Sequence, residues 1–282
     1  MPRRPQPALR SRLPLTGLRK VFPMSTCKTH IATADATSIT VRGHSLTAEL
    51  MPHKSFTEMI YFLTCGRMPT PSQARVLDVC LVTLMEHGWT PTSMITRMAI
   101  DSVPDQVQVA MAAGLLTVGS VFAGTIEGCA QILQAGIDEP DLDAYCARVV
   151  QQFRADKATL PGFGHRAHKP DDPRSPVILQ VASEAGHSGR YVDLLQRLSR
   201  AVDAAYGKHL TINATGAIAA VLLEIGLPAP AMRGIAVISR AGGLLGHILE
   251  ERQTHAAREM WRLTRENIGY EAPAQEGGDG QP

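Results

Sequence analysis

The segment Pro161–Arg174 concentrates side chains that could perform chemistry. It reads Pro-Gly-Phe-Gly-His-Arg-Ala-His-Lys-Pro-Asp-Asp-Pro-Arg. Arginine binds carboxylates through paired N–H groups, and histidine can donate a hydrogen bond to an oxygen that gains charge. The glycines let the backbone approach a ligand closely. These residue types indicate a site that binds carboxylates and polarises a carbonyl, and the alternative is a solvated surface loop rich in Gly and Pro.

Composition indicates a helical enzyme that has no nucleic-acid or membrane partner. The 282 residues suffice for one large domain or two unequal ones, and 44% of them are hydrophobic with only two Trp. The net charge of +2 gives no strong attraction to nucleic acid or membranes, and no apolar run is long enough to span a bilayer. The five cysteines lack metal-type spacing, so we predict reduced thiols, no metal and a cytoplasmic location; they are Cys27, Cys65, Cys80, Cys129 and Cys146.

Both ends of the chain differ in composition from its centre. Residues 1–23 carry six basic residues and no acidic one, and removing them changes the net charge from +2 to −4. This segment lacks the apolar core of a secretory signal and the amphipathic pattern of an organellar leader. We expect a disordered basic tail or a misassigned start, with Met24 as the true first residue. Residues 262–282 are predicted to form a C-terminal tail that is disordered at its end.

The central sequence predicts a mainly α protein. Apolar residues recur at helical spacing, and Gly or Pro bounds most of the segments. The predicted helices are Ser55–Thr64, Pro71–Glu86, Gln106–Leu116, Asp141–Arg154, Ser175–Ala185, Arg190–Tyr206, Ala217–Ile225 and Met232–Arg252. Only Ser38–Val41, followed by Arg42-Gly43, indicates a short hairpin. No strand–helix alternation, P-loop or G-x-S-x-G motif is present, which argues against a Rossmann protein, a P-loop NTPase and an α/β-hydrolase.

Several motifs in consistent order resemble the citrate synthase superfamily, which includes citryl-CoA lyases and the lyase end of ATP-citrate lyase. The resemblance runs from about Ile31 to Trp261. Its pieces are Ile39–Gly43, Leu63–Pro69, Glu86–Gly88, Gly164–Arg174, Ser239–His247 and Arg258–Trp261. It implies a citrate synthase-like fold with a large helical domain, a smaller helical domain and an active site in the cleft between them. We assign residues 24–124 and 227–261 to the large domain and 125–226 to the small one.

The resemblance also implies roles for individual residues. The implied catalytic positions are His87, His165 and Thr215, and the implied substrate-binding positions are Asn213, Arg174, Arg240 and Arg258. Coenzyme A contacts are implied for Gly162, Phe163, Gly164, Lys169 and Lys208. The CoA thioester would be substrate or product, and no cofactor would be bound permanently. Citrate is a trianion at neutral pH, so each of three arginines could bind one carboxylate through a bidentate pair.

Two positions depart from citrate synthases. Ala123 stands where the family has the His of an L-H-G turn, and Thr215 stands where it has the Asp that deprotonates the acetyl group. Threonine cannot act as a general base near neutral pH without an activating group. The lyase end of ATP-citrate lyase also lacks that His, which favours the citryl-CoA lyase-like branch. Glu127 and Asp35 are weaker candidates for a replacement base, and backbone amides near Ala123-Gly124 could stabilise an enolate.

Three functions therefore stay open at the level of sequence. The first is a citryl-CoA lyase-like enzyme that cleaves or forms a carbon–carbon bond of a hydroxy-polycarboxylate CoA thioester, with acetyl-CoA and a 2-oxo acid as products. The second is a citrate synthase-type acyltransferase or retro-Claisen enzyme acting on a different acyl-CoA. The third is a catalytically silent acyl-CoA-binding homologue.

The surface of two predicted helices indicates self-association. The segments Gln106–Val118 and Ala74–Glu86 are too apolar around their circumference for a small monomer. We predict a homodimer packed through these helices. By resemblance, Arg258 of each subunit would reach into the active site of the other.

Overall fold

The structure is a computed structural model that describes residues 28–119 and 124–273. It separates into one unit that ends at Leu50 and a second, mainly helical unit that begins at Met51. The basic segment 1–23, Ala123 and the end of the predicted C-terminal tail lie outside the described residues. The finer division of the helices into a large and a small domain stays a prediction.

The first unit contains a three-stranded antiparallel sheet in the order β1-β2-β3. Its strands are β1 (Ala32–Ala34), β2 (Ile39–Val41) and β3 (His44–Ser45), and a π-helical turn, Leu46–Leu50, follows. Arg42 and Gly43 connect β2 to β3 with φ angles of 46° and 86°. Two consecutive positive φ angles suit the right-handed twist of a tight hairpin. The predicted hairpin is therefore confirmed.

Helices make up most of the second unit, as the sequence predicted. The helices are α1 (Phe56–Cys65), α2 (Pro71–Met85), α3 (Pro91–Ser102), α4 (Val107–Leu115), α5 (Thr125–Gly136), α6 (Leu142–Ala155), α7 (Arg174–Glu184), α8 (Arg190–Tyr206), α9 (Ala214–Glu224), α10 (Met232–Thr254) and α11 (Ala256–Asn267). All eight helices predicted from the sequence are present, whereas α3, α5 and α11 were not predicted. Among the described residues, no helix is long and apolar enough to span a membrane.

Helix α9 lies at the centre of the main hydrophobic core. Its sequence, Ala-Thr-Gly-Ala-Ile-Ala-Ala-Val-Leu-Leu-Glu, buries residues on every side, and it packs against α5, α7 and α8. Small side chains allow neighbouring helices to approach closely, and the removal of apolar surface from water stabilises the packed state. The core thereby fixes the N-terminal end of α9, which lies beside the loop Pro161–Pro173.

Helix α10 packs against α2, α3 and α4 and brings distant parts of the sequence together. At Gly243 a Cβ atom would collide with the carbonyl oxygen of Met85, the last residue of α2. Glycine is therefore required for this close approach. The contact places Arg240 and His247 of α10 next to Glu86, which directly follows α2.

Candidate functional site

The loop Pro161–Pro173 is held by backbone pairing with the segment before α9. The amide of Gly164 donates to the Thr211 carbonyl over 2.8 Å, and the amide of Asn213 donates to the Gly162 carbonyl over 3.0 Å. Gly162 and Gly164 have φ angles of +89° and +73°, which residues with a side chain rarely adopt. Phe163, between them, is buried. These constraints fix the backbone just before His165.

His165 is oriented by the turn that follows it. Its Nδ1 accepts hydrogen bonds from the amides of Ala167 and His168 over 3.1 and 3.0 Å. In the neutral ring the proton must then be on Nε2, so Nε2–H is the group available to a ligand. Burial lowers the pKa of His165, and the neighbouring His168 and Arg174 lower it further although Asp172 opposes them. The ring is therefore a neutral hydrogen-bond donor at neutral pH.

Two further imidazoles surround His165. His168 stacks on it with ring centroids 4.4 Å apart. His87, which follows α2, lies 5.6 Å from His165 and 5.3 Å from His168 between ring centroids. Burial lowers the pKa of His87, and the positive charges of Arg174 and Arg240 add to this effect. His87 is therefore also neutral at neutral pH and retains a nitrogen lone pair that can accept a proton.

Arg174 is fixed at the first turn of α7 by a buried carboxylate. Its Nε and Nη2 donate to the two oxygens of Asp172 over 2.9 and 2.8 Å. Asp172 also accepts the amide of Ala214 over 2.9 Å. Burial alone would raise the pKa of Asp172, but Arg174 and that amide lower it to about 2. This pair holds the Arg174 guanidinium beside His165, with Nη2 3.5 Å from the His165 Nε2.

Arg240 supplies a second, more deeply buried guanidinium. Only 6% of the residue is exposed, and its Nη1 has no hydrogen-bond partner among the described residues. Burial lowers the pKa of Arg240, Glu86 opposes this, and the positive charge of Arg174 lowers it further. A buried donor without a partner costs free energy, which a carboxylate ligand would recover. The His and Arg cluster therefore suits an anion with more than one carboxylate.

Asn213 and Thr215 lie beside this cluster, at the start of α9. The side-chain amide of Asn213 donates to the Gly164 carbonyl over 2.9 Å, and its oxygen accepts the amide of Gly216 as an N-cap. Thr215 donates its hydroxyl to the Asn213 oxygen over 2.7 Å and lies 2.9 Å from the hydroxyl of Thr125. An amide oxygen and a hydroxyl do not convert Thr215 into a base near neutral pH.

The two weaker candidates for a replacement base are engaged elsewhere. Glu127 forms an ion pair with Arg233 at 2.9 Å. Asp35 lies in an exposed turn of the first unit, where hydrogen bonds from Thr37 and Ser38 lower its pKa to about 2. A carboxylate with so low a pKa is a poor general base.

The backbone amides near Ala123-Gly124 are described only in part. The Gly124 amide donates to the Gly119 carbonyl over 3.0 Å, so it is not available to an enolate in this conformation. Ala123 lies outside the described residues.

Three other predicted residues are on exposed surface. Arg258 on α11 pairs with Asp101 on α3 at 3.3 Å, so within one chain it has another partner. Its proposed entry into a partner subunit's site stays a prediction. Lys169 and Lys208 are exposed, and their contacts with coenzyme A also stay predictions.

The three histidines could also be considered as metal ligands, although the sequence predicted no metal. One nitrogen from each of His87, His165 and His168 lies within 4.8 Å of the others, and three imidazoles are a familiar zinc ligand set. Two observations favour an anion instead. Arg174 and Arg240 make the local potential positive, and the amides bound to Nδ1 of His165 keep a proton on its Nε2.

Sequence reasoning missed three members of this region. His168 could have been noticed from its place in the loop, three residues after His165. Glu86 and His247 were quoted only as parts of motifs, and their proximity depends on the packing of α10 against the end of α2.

Comparisons with known proteins agree with the fold. The family profile described as Citrate synthase, C-terminal domain, matches residues 66–264. A citrate synthase from Synechocystis sp. is 26% identical over 218 residues, which is 76% of this chain and 53% of the relative. A citryl-CoA lyase structure from Hydrogenobacter thermophilus is 26% identical with a TM-score of 0.77, covering 92% of this chain and 98% of that one.

A structure of ATP citrate lyase from Methanothrix soehngenii, in complex with citrate and coenzyme A, has a TM-score of 0.74 at 18% identity, covering 93% of this chain and 44% of that one. The chain thus spans about half the length of the curated relatives it matches, but nearly the full length of the citryl-CoA lyase. Since the family profile covers most of the sequence and the helices form the corresponding fold, the chain belongs to the citrate synthase family and has a mainly α, citrate synthase-like fold.

Proposed function

We propose that the protein is a citryl-CoA lyase-like enzyme. It cleaves, or in reverse forms, a carbon–carbon bond of a hydroxy-polycarboxylate CoA thioester, with acetyl-CoA and a 2-oxo acid as products. The observation that carries this proposal is the cluster of two neutral histidines with two arginines, His87 and His165 with Arg174 and Arg240. The similarity to a citryl-CoA lyase over almost its entire length supports the same activity.

His87 and His165 have different roles in the cleavage reaction. His87 accepts the proton of the substrate hydroxyl, because its lowered pKa leaves the ring neutral. The carbon–carbon bond then breaks, the hydroxyl carbon becomes the carbonyl of the 2-oxo acid, and the electron pair moves to the enolate of acetyl-CoA. His165 donates a hydrogen bond from its Nε2–H to the substrate oxygen on which negative charge develops. Water donates a proton to the enolate carbon to complete acetyl-CoA, and the proton taken up by His87 is released to solvent.

The arginines and exposed lysines bind the remaining groups of the substrate. Arg174 and Arg240 pair with carboxylates of the acyl group, which fixes the scissile bond between the two histidines. Lys169 and Lys208 are exposed cations that we assign to phosphates of coenzyme A, and Gly162–Gly164 lie against its thioester arm. The CoA thioester is a substrate or product in this scheme.

A second candidate is a citrate synthase-type acyltransferase, because the curated relative from Synechocystis is a citrate synthase. Condensation requires removal of a proton from a methyl carbon, and the partners of Thr215 are an amide and a hydroxyl. We infer that cleavage is favoured, because water can protonate a released enolate, whereas water alone is too weak a base to remove the methyl proton in condensation.

The test is a direct comparison of two assays on the purified protein. Citryl-CoA is supplied alone, and acetyl-CoA and oxaloacetate are measured as products. In parallel, acetyl-CoA and oxaloacetate are supplied together, and free CoA is measured. We expect cleavage in the first assay. CoA release in the second assay without cleavage in the first would favour a synthase, and binding without turnover would favour a silent homologue.

A further inference from the structure

Glu86, which directly follows α2 and precedes His87, is held on one side by the backbone. Its Oε1 accepts the amides of His87 and Gly88 over 2.7 and 2.6 Å. Burial alone would raise the pKa of Glu86, but the His87 amide and the side chain of His247 bring it below the ordinary value. The carboxylate is therefore ionised at neutral pH. With Oε1 occupied, Oε2 is the oxygen left for neighbouring cations.

Two side chains of α10 approach Oε2 of Glu86. Nε2 of His247 lies 2.9 Å from this oxygen, and Nη1 of Arg240 lies 3.7 Å from it. Neither nitrogen is directed well enough for a hydrogen bond, and within the described part of the chain both are buried without another partner. Oε2 of Glu86 thus lies near both groups, and it is closer to His247 than to Arg240.

His247 is fixed from its other side by a buried arginine. Nε of Arg97 donates to Nδ1 of His247 over 2.8 Å, so the proton of the neutral imidazole is on Nε2, which faces Glu86. Only 2% of Arg97 is exposed, and its Nη1 pairs with the buried carboxylate of Glu251 at 3.0 Å. His247 therefore has a defined tautomer and a defined orientation.

We propose that His247 is a positioning residue that holds Glu86 away from Arg240 and so keeps Arg240 available to the ligand. Without His247, the Oε2 of an ionised carboxylate this close to a buried guanidinium would close into a direct, charge-assisted hydrogen bond with Arg240. The ligand would then have to break that pair before it could bind. With His247 at Oε2, Arg240 keeps an N–H group that no side chain satisfies, and an incoming carboxylate can take it.

The inference rests on the proposed function only for the polycarboxylate nature of the ligand. It adds that Glu86 and the ligand carboxylate compete for Arg240, and that this competition sets the affinity for the ligand. A substitution of His247 should therefore act on ligand binding and leave the chemical step nearly unchanged.

Calorimetric titration of citrate into the full-length protein at neutral pH tests the proposal. In His247→Phe the Nε2–H is lost, and we expect the Kd for citrate to rise by about tenfold or more. Adding Glu86→Gln to this variant should bring the Kd back to within about threefold of the wild type, because a neutral amide competes weakly for a guanidinium. His247→Gln, whose amide can replace the Nε2 donor, should also stay near the wild-type Kd.

His187→Phe is the matched control. This histidine is also partly buried, and it contacts Ser72 at 2.9 Å, outside the cluster. We expect no change in its Kd for citrate. The double variant separates positioning from simple destabilisation, because loss of the Arg97 contact persists in it and only the charge competition is removed.

An unchanged affinity in His247→Phe, or a double variant as weak as the single one, would overturn the proposal. Citryl-CoA turnover, measured on the same samples, keeps the two proposals apart. A wild type that binds citrate without cleaving citryl-CoA overturns only the lyase assignment. A wild type that cleaves citryl-CoA, with His247→Phe binding citrate normally, overturns only the positioning role. A wild type that does not bind citrate overturns the positioning role, and if it also fails to cleave citryl-CoA, the lyase assignment falls with it.

Discussion

At the scale of single residues, geometry shows why Arg174 should not be replaceable by lysine. Two of its nitrogens pair with buried Asp172, so a ligand carboxylate must be bound by the rest of the same planar group. A lysine ammonium lacks this planar set of N–H groups, so it cannot pair with Asp172 and with the ligand carboxylate in the same geometry. We expect Arg174→Lys to weaken citrate binding by more than about tenfold in calorimetry. Arg166→Lys, at an exposed arginine of the same loop, is the control and should bind normally.

His165 and His87 should be distinguishable by kinetics and by pH. His165→Ala should lower kcat by roughly 10²-fold, because a donor to the developing charge is lost.

The wild-type kcat/KM should fall on the acid side with a midpoint below pH 6.5, since the pKa of His87 is lowered and the neutral base survives to lower pH. The expectation fails if His165→Ala retains wild-type kinetics, or if the acid limb lies above the ordinary pKa of histidine.

Substitution of Thr215 tests whether the lack of a carboxylate base at this position prevents condensation of acetyl-CoA. We expect the wild type not to exchange the methyl protons of acetyl-CoA with deuterated water, as followed by NMR. Asp is close to Thr in volume, and Thr215→Asp should create or raise this exchange if the methyl group lies within reach of the new carboxylate. Rapid exchange by the wild type would mean that another base exists, and a synthase would become the better assignment.

Residue types and their spacing were sufficient to propose part of the candidate site. His165 and Arg174 are close in sequence, and the loop that joins them brings them together. His87 and Arg240 were found only by resemblance to a family, because no local pattern relates residues so far apart. Glu86 and His247 belong to a network that arises only when α10 packs on the end of α2. Tertiary contacts of this kind have no period or motif in the sequence.

At the scale of elements, Asn213 links the N-terminal end of α9 to the loop Pro161–Pro173. It caps the helix through Gly216 and donates to the carbonyl of Gly164. We expect Asn213→Ala to lower the free energy of unfolding by about 1–2 kcal/mol, as loss of an N-cap does, and also to weaken ligand binding. Chemical denaturation and calorimetry measure the two effects.

Thr70→Ala is the matched control for Asn213→Ala. Thr70 caps α2 at its N-terminal end, at the opposite end of that helix from Glu86. It should cost similar stability with citrate affinity unchanged. Equal loss of affinity in both variants would mean that Asn213 acts on the ligand only through stability.

The helices that were not predicted differ in their local signals. Helix α5 begins after Gly124 without a side-chain cap and contains Gly128 and Gly136. Helix α3 is rich in Thr and Ser, which are poor helix formers, although Thr90 as N-cap and Pro91 at the first position mark its start. Helix α11 is mostly exposed and charged, with Ala257 its buried residue. Packing against neighbours, which a pattern search does not include, stabilises these segments.

At the scale of the whole molecule, exposed apolar side chains support the predicted homodimer. Val82 on α2, Val109 on α4 and Leu116 just after α4 are 62%, 46% and 86% exposed, and they belong to the two segments predicted to pack between subunits. Burial of such side chains would favour association. We expect light scattering at micromolar concentration to give a dimer mass. A monomer mass would contradict this and would also remove the basis for a shared active site.

If each site is completed by the partner's arginine, two inactive variants should restore activity when mixed. Arg258→Ala would lack the arginine, and His165→Ala would lack the catalytic donor. In a mixed dimer, one site combines an intact His165 from one chain with an intact Arg258 from the other. After equal amounts are denatured and refolded together, about a quarter of the sites should be complete. Refolding each variant alone is the control, and a mixture no more active than the two variants measured separately would place Arg258 outside the reaction.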